Sequence, residues 1–162
     1  MDNDFDEYVS TEVAPNAVAQ QKPSILLLTC IDNRYAHRIV DLMDRAKLRG
    51  KYDIFALAGA AAGANENKKI WRQALVEHIQ VARLIKHPLD RVIILEHRDC
   101  GAYKEFFGLD WEKVTPPVEL NSHKEQATLL MKYLKKIFAK EIPNLKVDSF
   151  LLTRDQDDVL LR

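Results

Sequence analysis

Residues 24–34 read Ser-Ile-Leu-Leu-Leu-Thr-Cys-Ile-Asp-Asn-Arg. Ser24 to Thr29 is a continuous apolar run edged by small polar residues, and Cys30, Asp32 and Arg34 follow at its C-terminal end. A run without polar alternation suits a strand buried on both faces, as in a parallel sheet. Tyr52 to Leu57 (YDIFAL) reads as a second strand and ends in the Ala/Gly stretch Ala58–Ala64. Arg91 to Glu96 (RVIILE) reads as a third, with His97, Arg98, Asp99 and Cys100 at its C-terminal edge.

Helical patterns separate these strands. From Ala36 to about Leu48, Ile39, Val40, Leu42 and Met43 recur at helical spacing, and Gly50 closes the segment. Asn65–Asn67 caps a helix running to about Lys86, with Leu75, Ile79, Ala82 and Leu84 near one face and Pro88 beyond its end. The segment 102–122, with Pro116-Pro117, reads as irregular. A helix from about His123 to Lys140 follows, amphipathic through Ala127, Leu130, Met131, Leu134 and Ile137. Lys146–Leu152 and Val159–Leu161 read as two short strands around a polar turn. Strands alternating with helices predict an α/β fold with a mainly parallel central sheet flanked by helices. Ligands of such sheets gather outside the carboxyl ends of the strands. Two of the three buried strands end there in a cysteine-containing motif.

Composition narrows the function. The 162 residues carry 24 Lys+Arg and 24 Asp+Glu, a formal net charge of zero. That balance gives no electrostatic case for a nucleic-acid or anionic-membrane partner. The longest aliphatic run, Ile25–Leu28, is far short of the roughly 20 residues that span a bilayer. The acidic N-terminus lacks the order of a secretory signal, so a cytoplasmic location is expected. In that setting Cys30 and Cys100 are expected as reduced thiols rather than a disulfide.

The two strand-end motifs are Cys30-Ile31-Asp32-Asn33-Arg34 and His97-Arg98-Asp99-Cys100-Gly101. Two thiolates and one imidazole match a catalytic zinc pattern, with three protein ligands and a fourth position for water or substrate. Zinc lowers the pKa of its bound water to about 7 in favourable sites. Arg34 can hold the Asp32 carboxylate by a bidentate pair. Asp32 then either orients the nucleophile or swings onto the metal as a fourth ligand.

Cys-x-Asp-x-Arg followed by His-x-x-Cys-Gly resembles the β-class carbonic anhydrases, over roughly residues 18–162. Gln21-Lys22-Pro23 is similar to the family's Gln-x-Pro approach to the first strand. The resemblance implies zinc on Cys30, His97 and Cys100, catalytic roles for Asp32 and Arg34, and substrate contact at Gln21 and Gly101. It implies reversible hydration of carbon dioxide to bicarbonate by a homodimer or dimer of dimers. Residues 1–22 are then an N-terminal arm and 23–162 a single α/β zinc-binding domain. The chain departs from the family pattern in two places. Ala56-Leu57-Ala58-Gly59 stands where the family usually has Arg-Asn-Ala-Gly, and Glu96 where it commonly has glycine. These departures keep two alternatives open: a catalytically silent zinc-bound binding or regulatory protein, and a hydrolase of a sulfur cumulene such as carbon disulfide or carbonyl sulfide.

Other polar residues read as structural. His37, His78, His87 and His123 are expected at the surface, since no spacing marks them as ligands. Lys132, Lys135, Lys136 and Lys140 form a solvated basic helix side. Ala58–Ala64 lacks the P-loop lysine and reads as a tight turn beside the metal loop.

Overall fold

The computed structural model describes residues 22–66, 69–153 and 159–161. Gln21, nearly all of the N-terminal arm, Asn67 and the turn Arg154–Asp158 lie outside the described residues. The elements run β1 (Ile25–Thr29), α1 (Ala36–Arg45), β2 (Tyr52–Ala56), α2 (Ala61–Asn65), α3 (Lys69–Leu84), β3 (Arg91–His97), α4 (Gly101–Phe107), α5 (Pro116–Ile137), β4 (Lys146–Leu152) and β5 (Val159–Leu160).

The sheet order is β2-β1-β3-β4-β5. The first four strands are parallel and β5 pairs antiparallel with β4. Registry places Leu27 opposite Ile54 on one side and Ile93 on the other. Strand character follows position. Every residue of the central strand β1 is buried, as are all of β3 after Arg91. On the edge strand β2, Ile54 and Ala56 are exposed.

Alternation in β1 and β3 divides the core between the two faces of the sheet, because successive side chains point oppositely. Leu26, Leu28, Val92 and Ile94 join a cluster with Leu75 and Ile79 of α3 and Leu130 and Leu134 of α5. Ile25, Leu27, Ile93 and Leu95 join Ile39 and Met43 of α1 on the other face. Burying one such Leu or Ile side chain contributes about 1.5–3 kcal/mol.

This order reverses direction between β1 and β3: the chain leaves β1 toward β2, then returns across β1 to lay down β3. The crevice at the C-terminal ends of β1 and β3 is therefore the switch point where doubly wound sheets bind ligands. Cys30 follows β1, and His97 and Cys100 close and follow β3.

Several expectations are corrected. The helix expected to run to about Lys86 is present as α3, but the Ala58–Ala64 stretch, expected as a tight turn, holds most of a further short helix, α2. The segment 102–122 is not irregular, since it holds α4 and the first turn of α5. Pro116 and Pro117 occupy the first helical positions, where a missing N–H costs nothing, so they start α5 rather than interrupt it. His123 is fully buried, and His78 and His87 are half-buried against Phe55 and Asp53 respectively.

Candidate metal centre

Cys30 leaves β1 into a short turn, where the Asp32 side chain accepts from the Arg34 N–H at 3.0 Å and caps the 3-10 turn Asn33–Tyr35. The same carboxylate takes the Arg34 guanidinium along its edge, with Nε at 3.0 and 3.1 Å from its two oxygens and Nη2 at 2.6 Å. Arg34 Nη2 also donates to the Asp99 carbonyl at 3.0 Å, tying the β1 loop to the β3 loop. Hydrogen bonding from Arg34 holds the Asp32 carboxyl down at about 2, so it is an ionised acceptor at neutral pH.

One ligand atom from each of Cys30, His97 and Cys100 falls within 4.8 Å of the others. His97 is 2% exposed. Its Nδ1 lies 2.8 Å from the Arg98 carbonyl, which fixes that nitrogen as the N–H donor and leaves Nε2 with its lone pair. Nε2 is buried without a hydrogen-bond partner; Asp32 Oδ2 is 3.7 Å away. The Tyr35 ring lies against the imidazole, with centroids 4.5 Å apart. The two sulfurs are 3.9 Å apart, against about 2.05 Å in a disulfide. The expectation of free thiols holds. Two thiolates on one tetrahedral zinc with Zn–S of about 2.3 Å stand about 3.8 Å apart. The orphaned imidazole nitrogen, the sulfur spacing and the donor set all fit zinc.

The electrostatics favour a thiolate at Cys30. A hydrogen bond from Cys100 pulls its pKa down against the cost of burial, and His97 and the Gly59 N–H pull the same way. The Gly59 N–H donates to Cys30 Sγ at 3.3 Å. Cys100 moves in the opposite direction, because its proton serves Cys30 and because it is buried. Gly59 can approach only as glycine: its φ is +72°, and a Cβ there would stand 2.9 Å from Ala102 Cβ.

Gly101, expected to touch substrate, is exposed beside Cys100, and a Cβ there would meet nothing within 4 Å. Around the thiols lies an apolar wall. Ala62 and Tyr103 are buried, with Phe106, Phe107, Leu109 and Trp111 packed against them. Trp111 Nε1 donates to the Cys100 carbonyl at 3.2 Å.

The two departures from the family pattern have structural positions. Leu57 is buried in the core cluster beneath α2 and α3, whereas Ala56 is exposed at the end of the edge strand. Glu96 is 1% exposed. One oxygen accepts from the Ala61 N–H at 2.9 Å, satisfying a first-turn amide of α2, and the other lies 3.2 Å from His123 Nδ1.

Sequence reasoning missed Glu119 and His123, which carry the polar support behind the site. Glu119 accepts from Arg98 Nη1 at 2.6 Å and from the Asp99 N–H at 2.7 Å. A signal was present: positions 119, 123, 126, 127, 130 and 134 keep helical spacing, and all are buried in α5. Extending the apolar stripe of α5 toward its prolines places both residues on the core face.

No protein-family model matches the chain. It is 31% identical over 133 residues to an uncharacterized protein of Rickettsia bellii, covering 82% of this chain and 77% of that one. It is 29% identical over 136 residues to an uncharacterized protein of Rickettsia conorii, covering 82% and 68%. Among solved structures, one from a study of two tetrameric β-carbonic anhydrases of Sordaria macrospora superposes with a TM-score of 0.64 at 14% identity, covering 98% of this chain and 92% of that chain. The β-carbonic anhydrase CafA of Aspergillus fumigatus superposes with a TM-score of 0.56 at 18% identity, covering 98% and 86%.

Proposed function

We propose, for a chain that belongs to one family with the uncharacterized Rickettsia bellii protein and has the fold of the β-carbonic anhydrases, that it is a zinc-dependent lyase hydrating carbon dioxide reversibly to bicarbonate and a proton. The observation that carries this reading is the meeting of Cys30, His97 and Cys100 at the switch point, with the Asp32 carboxylate 3.7 Å from the free imidazole nitrogen.

Cys30, His97 and Cys100 would hold the zinc, which supplies a water acidic enough to act as a nucleophile near neutral pH. The work of the chain is orientation. Asp32 is ionised and can only accept, so it would accept a hydrogen bond from the attacking hydroxyl, which keeps its proton and turns a lone pair toward the substrate carbon. Arg34 occupies the rest of that carboxylate and, through Asp99, keeps it in register with the ligand loop. Gln21 and the open face at Gly101 contact the substrate. The catalytic unit is residues 23–162 with an N-terminal arm, working as a homodimer or dimer of dimers in the cytoplasm.

The apolar wall of Phe106, Phe107, Leu109 and Trp111 favours a second reading, in which the same site hydrolyses carbon disulfide or carbonyl sulfide. Turnover of all three gases by zinc-loaded protein under one set of conditions separates the readings. Carbon dioxide hydration well above the sulfur gases supports the proposal. Preference for a sulfur gas supports the second. Full zinc occupancy with no turnover of any of them rejects both and leaves a zinc-bound regulatory protein.

A further inference from the structure

We propose that Glu119 is a positioning residue that holds the turn between His97 and Cys100 in the shape metal binding requires. The inference rests on the zinc reading above and adds a residue to it.

The turn is held in an unfavourable backbone conformation. Asp99 has φ +55°, in the left-handed region that residues other than glycine rarely adopt. Such strain persists only where the surroundings over-determine it, and here Asp99 is fastened at both ends of its backbone. Its N–H donates to Glu119 Oε1 at 2.7 Å, and its carbonyl accepts from Arg34 Nη2 at 3.0 Å. The other Glu119 oxygen takes Arg98 Nη1 at 2.6 Å. Arg98 in turn offers its carbonyl to His97 Nδ1, the contact that turns Nε2 toward the two sulfurs. Glu119 thus grips both residues between the two ligands of one loop.

The support behind this grip is stiff. Glu119 is 5% exposed and opens the buried face of α5, which continues through His123, Ala127, Leu130 and Leu134, all fully buried. One turn beyond Glu119, His123 meets Glu96, the residue before His97. The helix therefore holds the end of β3 on both sides of the histidine. A carboxylate suits the position because a backbone N–H and a guanidinium both need acceptors, and its charge is matched by Arg98. Removing it takes the carboxylate from the half-buried Arg98 guanidinium, which keeps the Pro116 carbonyl at 3.4 Å, and takes the Glu119 acceptor from the strained Asp99 amide.

The test compares wild-type, Glu119→Ala, Glu119→Gln and Leu134→Ala proteins, each shown to fold by far-UV circular dichroism. Zinc release to a chromogenic chelator and the visible spectrum of the cobalt(II)-substituted protein are measured. Glu119→Ala is expected to release zinc about 10- to 100-fold faster, with altered cobalt bands. Glu119→Gln keeps an acceptor for the Asp99 amide and is expected to restore the wild-type bands, with release in between. Leu134→Ala loosens the same helix away from the turn and is expected to keep the wild-type spectrum. If Glu119→Ala does not fold, Glu119→Asp, which keeps the charge but shortens the reach, takes its place with the same expectation. A folded Glu119→Ala protein with wild-type release and bands overturns the role of Glu119 alone, as does an equal change in Leu134→Ala. A wild type that binds neither metal overturns the zinc reading and this role with it.

Discussion

Asp32 and Gly59 each reach the Cys30–His97–Cys100 cluster through a geometry that a single substitution alters. Asp32 spends both oxygens on Arg34 and still stands beside the imidazole. In Asp32→Asn one oxygen becomes an amide that faces guanidinium donors, so the pair is lost while the ligands remain. Hydration is expected to fall about 10- to 100-fold with zinc content unchanged, measured by stopped flow beside elemental analysis. Gly59→Ala combines a positive φ with a steric overlap on Ala102. Gly108 has a similar φ, +65°, but open space around it. In urea unfolding, Gly108→Ala should cost about 1 kcal/mol and Gly59→Ala about 1–3 kcal/mol more, the difference being the overlap. The grouping of Cys30, His97 and Cys100 was legible in the sequence because two thiols and an imidazole at that spacing are a donor set that can hold a metal. Glu119 and His123 were not, because a buried carboxylate and imidazole look like surface residues until the helix carrying them is given its full length.

At the scale of elements, the strands were legible because burial on both faces leaves continuous apolar runs. Ile25–Thr29 and Arg91–His97 have that pattern, and β4 alternates as its neighbours require. The start of α5 was not, since Pro116-Pro117 reads equally as a loop or as a first helical turn. The helical spacing of 119, 123, 126, 127, 130 and 134 favours the helix, and the placement of Glu119 against the β3 loop accords with it. The end of α1 gives a pH prediction. Arg49, beyond the helix, pairs with Asp44 within it through two hydrogen bonds and holds the Asp44 carboxyl below its ordinary range. A lowered folded-state pKa stabilises above the unfolded value of about 3.9, and that contribution disappears as pH falls through the folded value. Asp44→Asn should therefore lower the thermal midpoint slightly at pH 7, by no more than the ~1 kcal/mol typical of a partly exposed pair. The gap between the two proteins should close as the pH falls through the lowered folded-state value of Asp44. A gap that widened toward acid would contradict the assignment. In the core, Ile94→Ala removes a fully buried side chain of β3 and should cost about 2–5 kcal/mol in urea unfolding.

For the whole molecule, the α/β class followed from alternating strands and helices, but the strand order did not. That order depends on which face each crossover takes, a property of the packed sheet rather than of any one segment. Once β1 and β3 lie side by side, two motifs far apart in sequence become one site, and the position of that site is a consequence of topology. The Ala56-Leu57 departure illustrates the converse. From sequence it keeps the alternative functions open, yet Leu57 packs into the core and only Ala56 is exposed. The central claim is that this site, loaded with zinc, hydrates carbon dioxide. The most direct test is stopped-flow hydration at pH about 8.5, above the zinc-water pKa of about 7, comparing wild type with Cys30→Ser. The account predicts a rate well above buffer for the zinc-loaded wild type and loss of both zinc and rate in the variant. A wild type with full zinc and no rate above buffer, or a variant that keeps both zinc and rate, would contradict it.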